Sequence, residues 1–173
     1  MWIFAYGSLI FRPSFAHLET RRAFVSGWAR RLWQGSPDHR GVPDAPGLVA
    51  TLVRAPEETC GGLAYRVDSA AKNDILAELD VREQAGFVRA MVSVADSPGG
   101  ASFAEALTYV AAPENAHFMG PLEAPAIAAW VASRRGPSGP NREYVERLHR
   151  ALQGLAIADH HVDAVARVLA THA

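Results

Sequence analysis

The sequence predicts a single α+β domain over residues 1–173, with a strand-rich first two-thirds and a helical last third. Short apolar runs separated by turn residues fill the first part, and apolar residues at helical spacing fill the second. The length of 173 residues is ordinary for one domain, and 49% of the residues are hydrophobic, as in a protein with a packed core. The strand count suits a mostly antiparallel sheet, either open or closed.

The strands are predicted from apolar runs and turn residues. Residues 2–6 form a short apolar run that ends at Gly7, which suits a buried strand entering a turn. Prolines and glycines make residues 38–47 a loop. Arg30 and Arg31 are adjacent in one strand, so their side chains are expected on opposite faces. The other predicted strands cover residues 23–33, 48–53, 62–67, 87–95 and 104–110.

The helices are predicted from caps and apolar stripes. Ser69 is expected to cap a helix over residues 70–79 within the strand-rich part. Residues 136–140 break a later helix, Asn141 is the expected N-cap of the next, and Asp159 caps the last. The apolar stripes of these helices are Ile75, Leu76 and Leu79; then Ile127, Trp130 and Val131; then Tyr144, Val145, Leu148 and Leu152; and finally Val162, Val165, Val168 and Leu169.

Composition excludes several classes of protein. The formal net charge of −1 implies no general attraction to nucleic acid or membrane, and the arginine pairs 21–22, 30–31 and 134–135 are interpreted as solvated faces. Cys60 is the single cysteine, so it is interpreted as a small core residue and no internal disulfide is possible. The N-terminus lacks the basic region of a signal peptide, and no run approaches the roughly 20 apolar residues of a membrane span. A cytoplasmic protein is expected.

No metal or cofactor is expected either. His160 and His161 are adjacent on a helix and point about 100° apart, so they cannot both bind one metal ion. The sequence also lacks the glycine patterns of phosphate-binding and dinucleotide-binding loops.

Two segments in the first quarter combine turn residues with polar groups. Tyr6-Gly7-Ser8-Leu9 follows the first strand, and successive backbone N–H groups of such a turn can converge on an anion. An ordinary strand-ending turn is the alternative. Residues 31–43 concentrate Trp, Gln, Asp, His and Arg, and Arg40 could pair there with a carboxylate. The alternative is a solvated loop.

Two later segments also carry candidate site residues. Residues 79–87 join a helix to a strand, and Glu83 is a candidate general acid/base if burial raises its pKa toward neutrality. The alternative is an exposed carboxylate at a helix end. The rigid segment before residue 141 would fix Tyr144 in the first turn of a helix with its hydroxyl facing a pocket. The alternative is a tyrosine on the apolar stripe of a core helix.

Taken together and in order, these segments resemble the ChaC-like, glutathione-specific γ-glutamylcyclotransferases. The likeness runs from about Ile3 to about Leu155 and includes residues 62–67, 106–110 and 120–122. Each segment alone is unspecific, whereas the ordered set with matching spacing is specific. Two positions depart from the family pattern, because many relatives have Gly in place of Ala5 and Tyr in place of Phe87. Any role of a hydroxyl at position 87 is therefore absent here.

The resemblance implies a mixed, mostly antiparallel β-barrel flanked by helices, with a pocket at one mouth. It implies that the γ-glutamyl group of glutathione is cyclised to 5-oxoproline and that Cys-Gly is released. The turn Tyr6, Gly7, Ser8 and Leu9 would bind the γ-glutamyl group, Glu83 would act as acid/base, and Tyr144 would lie near the substrate. The family implies no cofactor, and we expect no nucleic-acid or membrane partner and a monomer or weak dimer.

The residues suit this chemistry, because the substrate's own α-amine is the nucleophile and Glu83 can move the proton. The N–H groups of the turn could stabilise an oxyanion or hold the α-carboxylate, and the sequence does not decide between them. Arg40 is the expected contact of a second carboxylate, and its loop is expected to recognise the Cys-Gly part.

Three alternative functions remain open from the sequence. One is a cyclotransferase that acts on other γ-glutamyl amides or dipeptides. Another is a non-catalytic γ-glutamyl-binding module, against which Glu83 argues. The third is a hydrolase with a Ser8, His39 and Asp38 triad, for which no G-x-S-x-G turn is present.

Overall fold

The computed structural model describes residues 1–111 and 113–171. Within these ranges, five strands close into a barrel in the order β1-β3-β2-β4-β5, accompanied by four α-helices and a small two-stranded sheet. All neighbouring strands of the barrel are antiparallel except β1 and β5, which are parallel. The predicted mixed, mostly antiparallel barrel with helices is confirmed.

The five barrel strands lie in the first two-thirds of the chain together with α1, and the other three α-helices follow them. The strands are β1 (Trp2–Ala5), β2 (Glu19–Ser36), β3 (Gly47–Arg66), β4 (Phe87–Ala95), β5 (Ser102–Ala111), β6 (Arg135–Gly136) and β7 (Gly139–Pro140). The α-helices are α1 (Lys72–Arg82), α2 (Ala124–Ala132), α3 (Asn141–Gly154) and α4 (His160–Thr171), and a 3₁₀ helix covers Ser8–Ile10.

The two longest strands, β2 and β3, form one hairpin in the barrel wall. Their pairing runs from Glu19 opposite Arg66 to Ser36 opposite Gly47. The predicted strands 48–53 and 62–67 are therefore the two ends of one strand, because the polar stretch between them stays extended. The register is interrupted at Gly27, whose φ of 78° is a left-handed conformation that glycine adopts without a Cβ clash.

The apolar stripes predicted for the helices face the core. Val168 and Trp130 are half-buried, and the other stripe residues are buried. Each stripe thus anchors its helix by removing apolar surface from water.

The predicted start of α1 is wrong. The helix begins at Lys72, after Ala71, and no side chain caps it. The carboxylate of Asp68 accepts a hydrogen bond from the N–H of Ala70 at 2.9 Å, which holds a separate turn where the helix was expected to begin. Ser69 offers only its carbonyl oxygen, which accepts from the N–H of Lys72 at 3.4 Å.

The predicted N-cap role of Asn141 is also wrong. The cap position is Pro140, and the amide of Asn141 is fully buried against strand β3. Its Oδ1 accepts from the N–H of Leu48 at 2.6 Å, and its Nδ2 donates to the carbonyl oxygen of Leu48 at 2.8 Å. The predicted cap of α4 is confirmed, since Asp159 Oδ1 accepts from the N–H of Val162 at 3.0 Å.

Arg30 and Arg31 lie on opposite faces of β2, as predicted, but the interpretation of this pair as a solvated face is wrong for Arg30. Arg30 is 1% exposed and donates from Nε to the carbonyl oxygen of Tyr6 at 2.7 Å. Its other nitrogens bind the carbonyl oxygen of Gly61 and, at 2.5 Å, the carboxylate of Asp159. Strand alternation turns this charge inward, and three acceptors satisfy it there.

Candidate active site

A cavity of about 320 Å³ opens at one mouth of the barrel. It lies where β1, β2 and β5 end and β3 and β4 begin. A volume of this order suits a small-molecule ligand. The structure brings every predicted site residue to the lining of this cavity, namely Tyr6, Gly7, Ser8, Leu9, Arg40, Glu83 and Tyr144.

The turn after β1 presents backbone N–H groups to the cavity. The 3₁₀ helix is closed by the N–H of Ile10, which donates to the carbonyl oxygen of Gly7 at 3.0 Å. The N–H groups of Gly7, Ser8 and Leu9 make no hydrogen bond with any residue that the structure describes. Three adjacent donors without protein acceptors form a site that can bind an anionic or carbonyl oxygen.

Tyr144 lies directly beside this turn. Its hydroxyl oxygen accepts a hydrogen bond from the N–H of Ala50 at 3.0 Å, and a Cβ on Gly7 would come within 3.2 Å of it. Burial raises the pKa of Tyr144 to about 12, so the hydroxyl keeps its proton at neutral pH. Because the oxygen accepts from Ala50, its proton remains available to a ligand in the cavity.

Glu83 lines the cavity at the C-terminal end of α1. Its N–H donates to the carbonyl oxygen of Leu79 at 2.8 Å, and its side chain is 19% exposed. It is therefore not the exposed carboxylate of the alternative interpretation. Burial raises the pKa of Glu83, while the charges of Arg82 and His39 lower it. The net upward shift is the one that general acid/base catalysis requires.

Arg82 joins the Glu83 segment to the turn, and sequence reasoning missed it. Its Nη2 donates to the hydroxyl oxygen of Ser8 at 2.8 Å, and its Nη1 donates to the carbonyl oxygen of Arg12 at 3.4 Å. Its Nε lies 3.4 Å from the Glu83 carboxylate. The available signal was its position next to Glu83 in the segment that matches the family.

Arg40 is almost fully enclosed, with 5% exposure. Its Nη1 donates to the carbonyl oxygen of Pro140 at 3.1 Å and lies 3.9 Å from the carboxylate of Glu143. The guanidinium is 5.7 Å from the centre of the Tyr144 ring. Burial is the main cause that lowers the pKa of Arg40, yet arginine remains charged at neutral pH. Arg40 thus brings a fixed positive charge close to Tyr144.

Gln34 is a second group that the sequence did not single out for the site. It is fully buried, and its Nε2 donates to the carbonyl oxygen of Ala85 at 2.9 Å and to Asn115 Oδ1 at 3.0 Å. It therefore holds the backbone two residues after Glu83. The predicted strand ended at residue 33, so Gln34 was assigned to the polar segment 31–43, and its partners are distant in the sequence.

The Tyr6 hydroxyl and the His39 ring both make hydrogen-bonding contacts within the protein. The hydroxyl of Tyr6 donates to the carbonyl oxygen of Tyr109 at 2.6 Å, so it holds β1 to β5. His39 lies 3.3 Å from both Ser138 Oγ and the carbonyl oxygen of Arg82. No hydrogen bond joins His39 to Ser8 among the described residues, so the triad of the alternative hydrolase is not assembled.

Over residues 1–111 and 113–171, no group of three or more His, Cys, Asp and Glu side chains is placed to hold a metal ion. In the same ranges, no helix has both the length and the apolar content to cross a lipid bilayer.

A family model described as ChaC-like protein matches residues 1–172. The chain belongs to the ChaC-like family. This ChaC-like protein is 38% identical over 175 residues to human "Glutathione-specific gamma-glutamylcyclotransferase 1", an alignment that covers 99% of this chain and 79% of the human protein. It is 39% identical over 171 residues to "Gamma-glutamylcyclotransferase 2-3" of Arabidopsis thaliana, covering 94% and 84% of the two chains.

A solved structure agrees with this ChaC-like assignment. The crystal structure of a γ-glutamyl cyclotransferase from yeast, described as specific to glutathione, matches with a TM-score of 0.92 and 27% sequence identity. The match covers 99% of this chain and 96% of the yeast chain. The resemblance noted from the motifs and the barrel that it implied are both confirmed.

Proposed function

We propose that this ChaC-like protein cyclises the γ-glutamyl group of glutathione to 5-oxoproline and releases Cys-Gly. The observation that carries the proposal is one cavity in which the partly buried carboxylate of Glu83 shares the lining with the unengaged N–H groups of the Tyr6–Leu9 turn. The names of relatives at 38% and 39% identity support the same reaction.

The reaction is internal to the substrate. The α-amine attacks the γ-carbonyl carbon, the new C–N bond closes a five-membered ring, and the bond to the cysteine nitrogen breaks. The amine loses a proton and the departing nitrogen gains one, so atoms balance without water, metal or oxidant. Holding the γ-glutamyl group in a folded conformation supplies much of the acceleration, because the attacking and attacked atoms are already in one molecule.

Glu83 is the proposed general acid/base of this transfer. In its ionised form it accepts the proton of the attacking amine, and in its protonated form it donates to the departing nitrogen. Its raised pKa makes the carboxylate a stronger base toward the attacking amine than an exposed glutamate would be. Arg82, which lies 3.4 Å from the carboxylate, keeps the ionised form accessible.

The γ-glutamyl group is proposed to bind between the turn and Tyr144. The N–H groups of Gly7, Ser8 and Leu9 and the Tyr144 hydroxyl are donors for the developing oxyanion. Arg40, enclosed against the Tyr144 ring, then suits the α-carboxylate of the same group. This differs from the contact with the Cys-Gly part expected from the sequence, because Arg40 is enclosed in the same part of the cavity as Tyr144.

Identification of the products by mass spectrometry tests the proposal. The protein is incubated with glutathione in the presence of EDTA, and 5-oxoproline and Cys-Gly are the expected products at an unchanged rate. Release of glutamate in place of 5-oxoproline would contradict cyclisation. Turnover of γ-glutamyl-alanine at the same kcat/KM as glutathione would widen the substrate class to γ-glutamyl amides in general.

We further propose that one domain performs this reaction alone or as a weak dimer in the cytoplasm, without nucleic acid or membrane. One closed barrel with a cavity that every proposed site residue lines supports a single domain. The formal net charge of −1 supports the absence of a polyanionic partner. Size-exclusion chromatography with light scattering tests the assembly state.

A further inference from the structure

Arg12 is a positively charged residue of the cavity lining to which the proposed mechanism assigns no role. Its N–H donates to the carbonyl oxygen of Ser8 at 2.8 Å, and its own carbonyl oxygen accepts from Arg82 at 3.4 Å. These two bonds fix its backbone at the end of the Tyr6–Leu9 turn. The residue itself is exposed, so it occupies the open side of the cavity.

The side chain of Arg12 differs from the other two guanidinium groups in the lining. Arg40 donates to the carbonyl oxygen of Pro140, and Arg82 donates to the hydroxyl oxygen of Ser8. The guanidinium of Arg12 makes no hydrogen bond or ion pair with any residue that the structure describes. Burial is the main cause that lowers the pKa values of Arg40 and Arg82, and the charge of Arg12 lowers both further. Three cations that repel one another favour an anionic ligand.

Glutathione carries two carboxylates at its two ends. The α-carboxylate belongs to the group that cyclises and must enter the enclosed part of the cavity with it. The glycine carboxylate lies about 7 Å beyond the bond that breaks, since an extended chain advances roughly 3.3–3.6 Å per residue. With the γ-glutamyl group between Gly7, Tyr144 and Glu83, the Cys-Gly part extends toward the open side, where Arg12 lies.

We propose that Arg12 binds the glycine carboxylate of glutathione and is a specificity-determining residue. The inference rests on the proposed function. It adds Arg12 as the residue that distinguishes the whole tripeptide from shorter γ-glutamyl compounds. A guanidinium presents two parallel N–H donors that match a carboxylate. Because the contact is solvent-exposed, its effect falls as the salt concentration rises.

The test compares glutathione with its monoethyl ester on the glycine carboxylate, which removes the charge and retains the rest of the substrate. The wild type is expected to prefer glutathione by roughly five- to tenfold in kcat/KM, between the scales of exposed and buried charge-assisted contacts. Arg12→Ala should lower kcat/KM for glutathione by the same factor, through a higher KM. The kcat/KM for the ester should stay unchanged. Arg12→Lys should retain part of the preference. Arg167→Ala, at an exposed arginine of α4 outside this cavity, is the matched control.

Each outcome separates the inference from the function on which it rests. An Arg12→Ala protein that still prefers glutathione, or that loses both substrates equally, overturns the assignment of Arg12. A wild type that turns over both substrates equally does the same while leaving the cyclotransferase activity intact. Failure of the wild type to release 5-oxoproline from either substrate overturns the proposed function itself.

Discussion

The Nε of Arg30 donates to the carbonyl oxygen of Tyr6 at 2.7 Å, while Nη1 of the same side chain pairs with the carboxylate of Asp159 at 2.5 Å. A trans peptide directs its C=O and N–H in opposite directions, so this bond also fixes the direction of the Gly7 N–H. One buried charge therefore connects the Tyr6–Leu9 turn at the cavity to the N-cap of α4.

Replacement of Arg30 should destabilise the protein strongly. Arg30→Ala leaves a carboxylate and two carbonyl groups without their partner, and we expect a loss of about 3 kcal/mol or more in the free energy of unfolding. Arg31→Ala, which removes the outward-facing neighbour and its pair with Glu58, should cost about 1 kcal/mol or less. Urea unfolding of both variants measures the difference, and equal losses would contradict the inward role of Arg30.

Glu83→Gln should abolish catalysis without loss of stability. The amide keeps the size of the carboxylate but cannot exchange protons, so kcat should fall on the order of a hundredfold or more. Burial disfavours the ionised wild-type side chain at neutral pH, so the melting temperature should stay equal or rise. Glu78→Gln, an exposed change on the same helix, is the control. Retention of more than about a tenth of wild-type kcat would move the acid/base role to another group.

The pH profile should report the same carboxyl group. In the proposed mechanism the attacking step needs ionised Glu83, and its raised pKa means that protonation begins at higher pH than for an ordinary glutamate. We therefore expect kcat/KM to decline on the acid side with an apparent pKa above the ordinary value of 4.5. The residual activity of Glu83→Gln should lack this limb. An acid limb at or below 4.5 would indicate that another group controls the reaction.

Gly7→Ala should interfere with Tyr144. A Cβ at residue 7 would lie 3.2 Å from the Tyr144 hydroxyl oxygen, so that hydroxyl must move away from the N–H of Ala50 or from the substrate. We expect kcat/KM to fall about tenfold or more, the scale of one donor in a preorganised site. Gly154→Ala, where a Cβ would meet nothing within 4 Å, should leave activity unchanged.

A double variant tests the cause of that loss. Removal of the hydroxyl in Tyr144→Phe also removes the crowding, so Gly7→Ala should cost stability in the wild type and little in the Tyr144→Phe background. Additive losses in the two backgrounds would show that the glycine serves the backbone rather than the tyrosine.

His161 should make the fold sensitive to mild acid. Its Nε2 accepts from the N–H of Leu32 at 3.0 Å, and burial first, then the charge of Arg31, lowers its pKa to about 4. The unfolded chain binds a proton near the ordinary value of 6.5. Stability from this group is thus present above that value and decreases between about pH 6.5 and pH 4. Thermal melts of His161→Gln should show a weaker decrease, whereas the exposed neighbour His160→Gln should melt like the wild type at every pH.

The segments that hold the site could be predicted because they lie where strands end. The Tyr6–Leu9 turn, Arg40 and Glu83 lie in segments that join predicted strands to their neighbours, and closure of the barrel brings these segments to one mouth. The start of α3 was predicted instead from the helix-breaking segment 136–140. The class of fold followed from the same alternation of apolar runs and turns.

The groups that support the site could not be predicted, because their partners are far away in the sequence. Arg30 reaches Asp159 across 129 positions, and Gln34 reaches Ala85 across 51. Strand alternation places such side chains on one face but does not say which face is covered. The prediction of Asn141 as an N-cap was wrong for the same reason, because its side-chain amide binds the backbone of Leu48, which is distant in the sequence.

The parallel pairing of β1 with β5 has a consequence for how the site forms during folding. Trp2 pairs with Ala106, so the seam that closes the barrel joins residues about a hundred positions apart. Long-range pairings of this kind form late and slow the search for the native topology. The β2–β3 hairpin can therefore form early, whereas β1, which ends at the cavity, pairs with β5 only when the barrel closes. Enzymatic competence would then appear as one of the last events of folding, and partly folded chains would leave glutathione untouched.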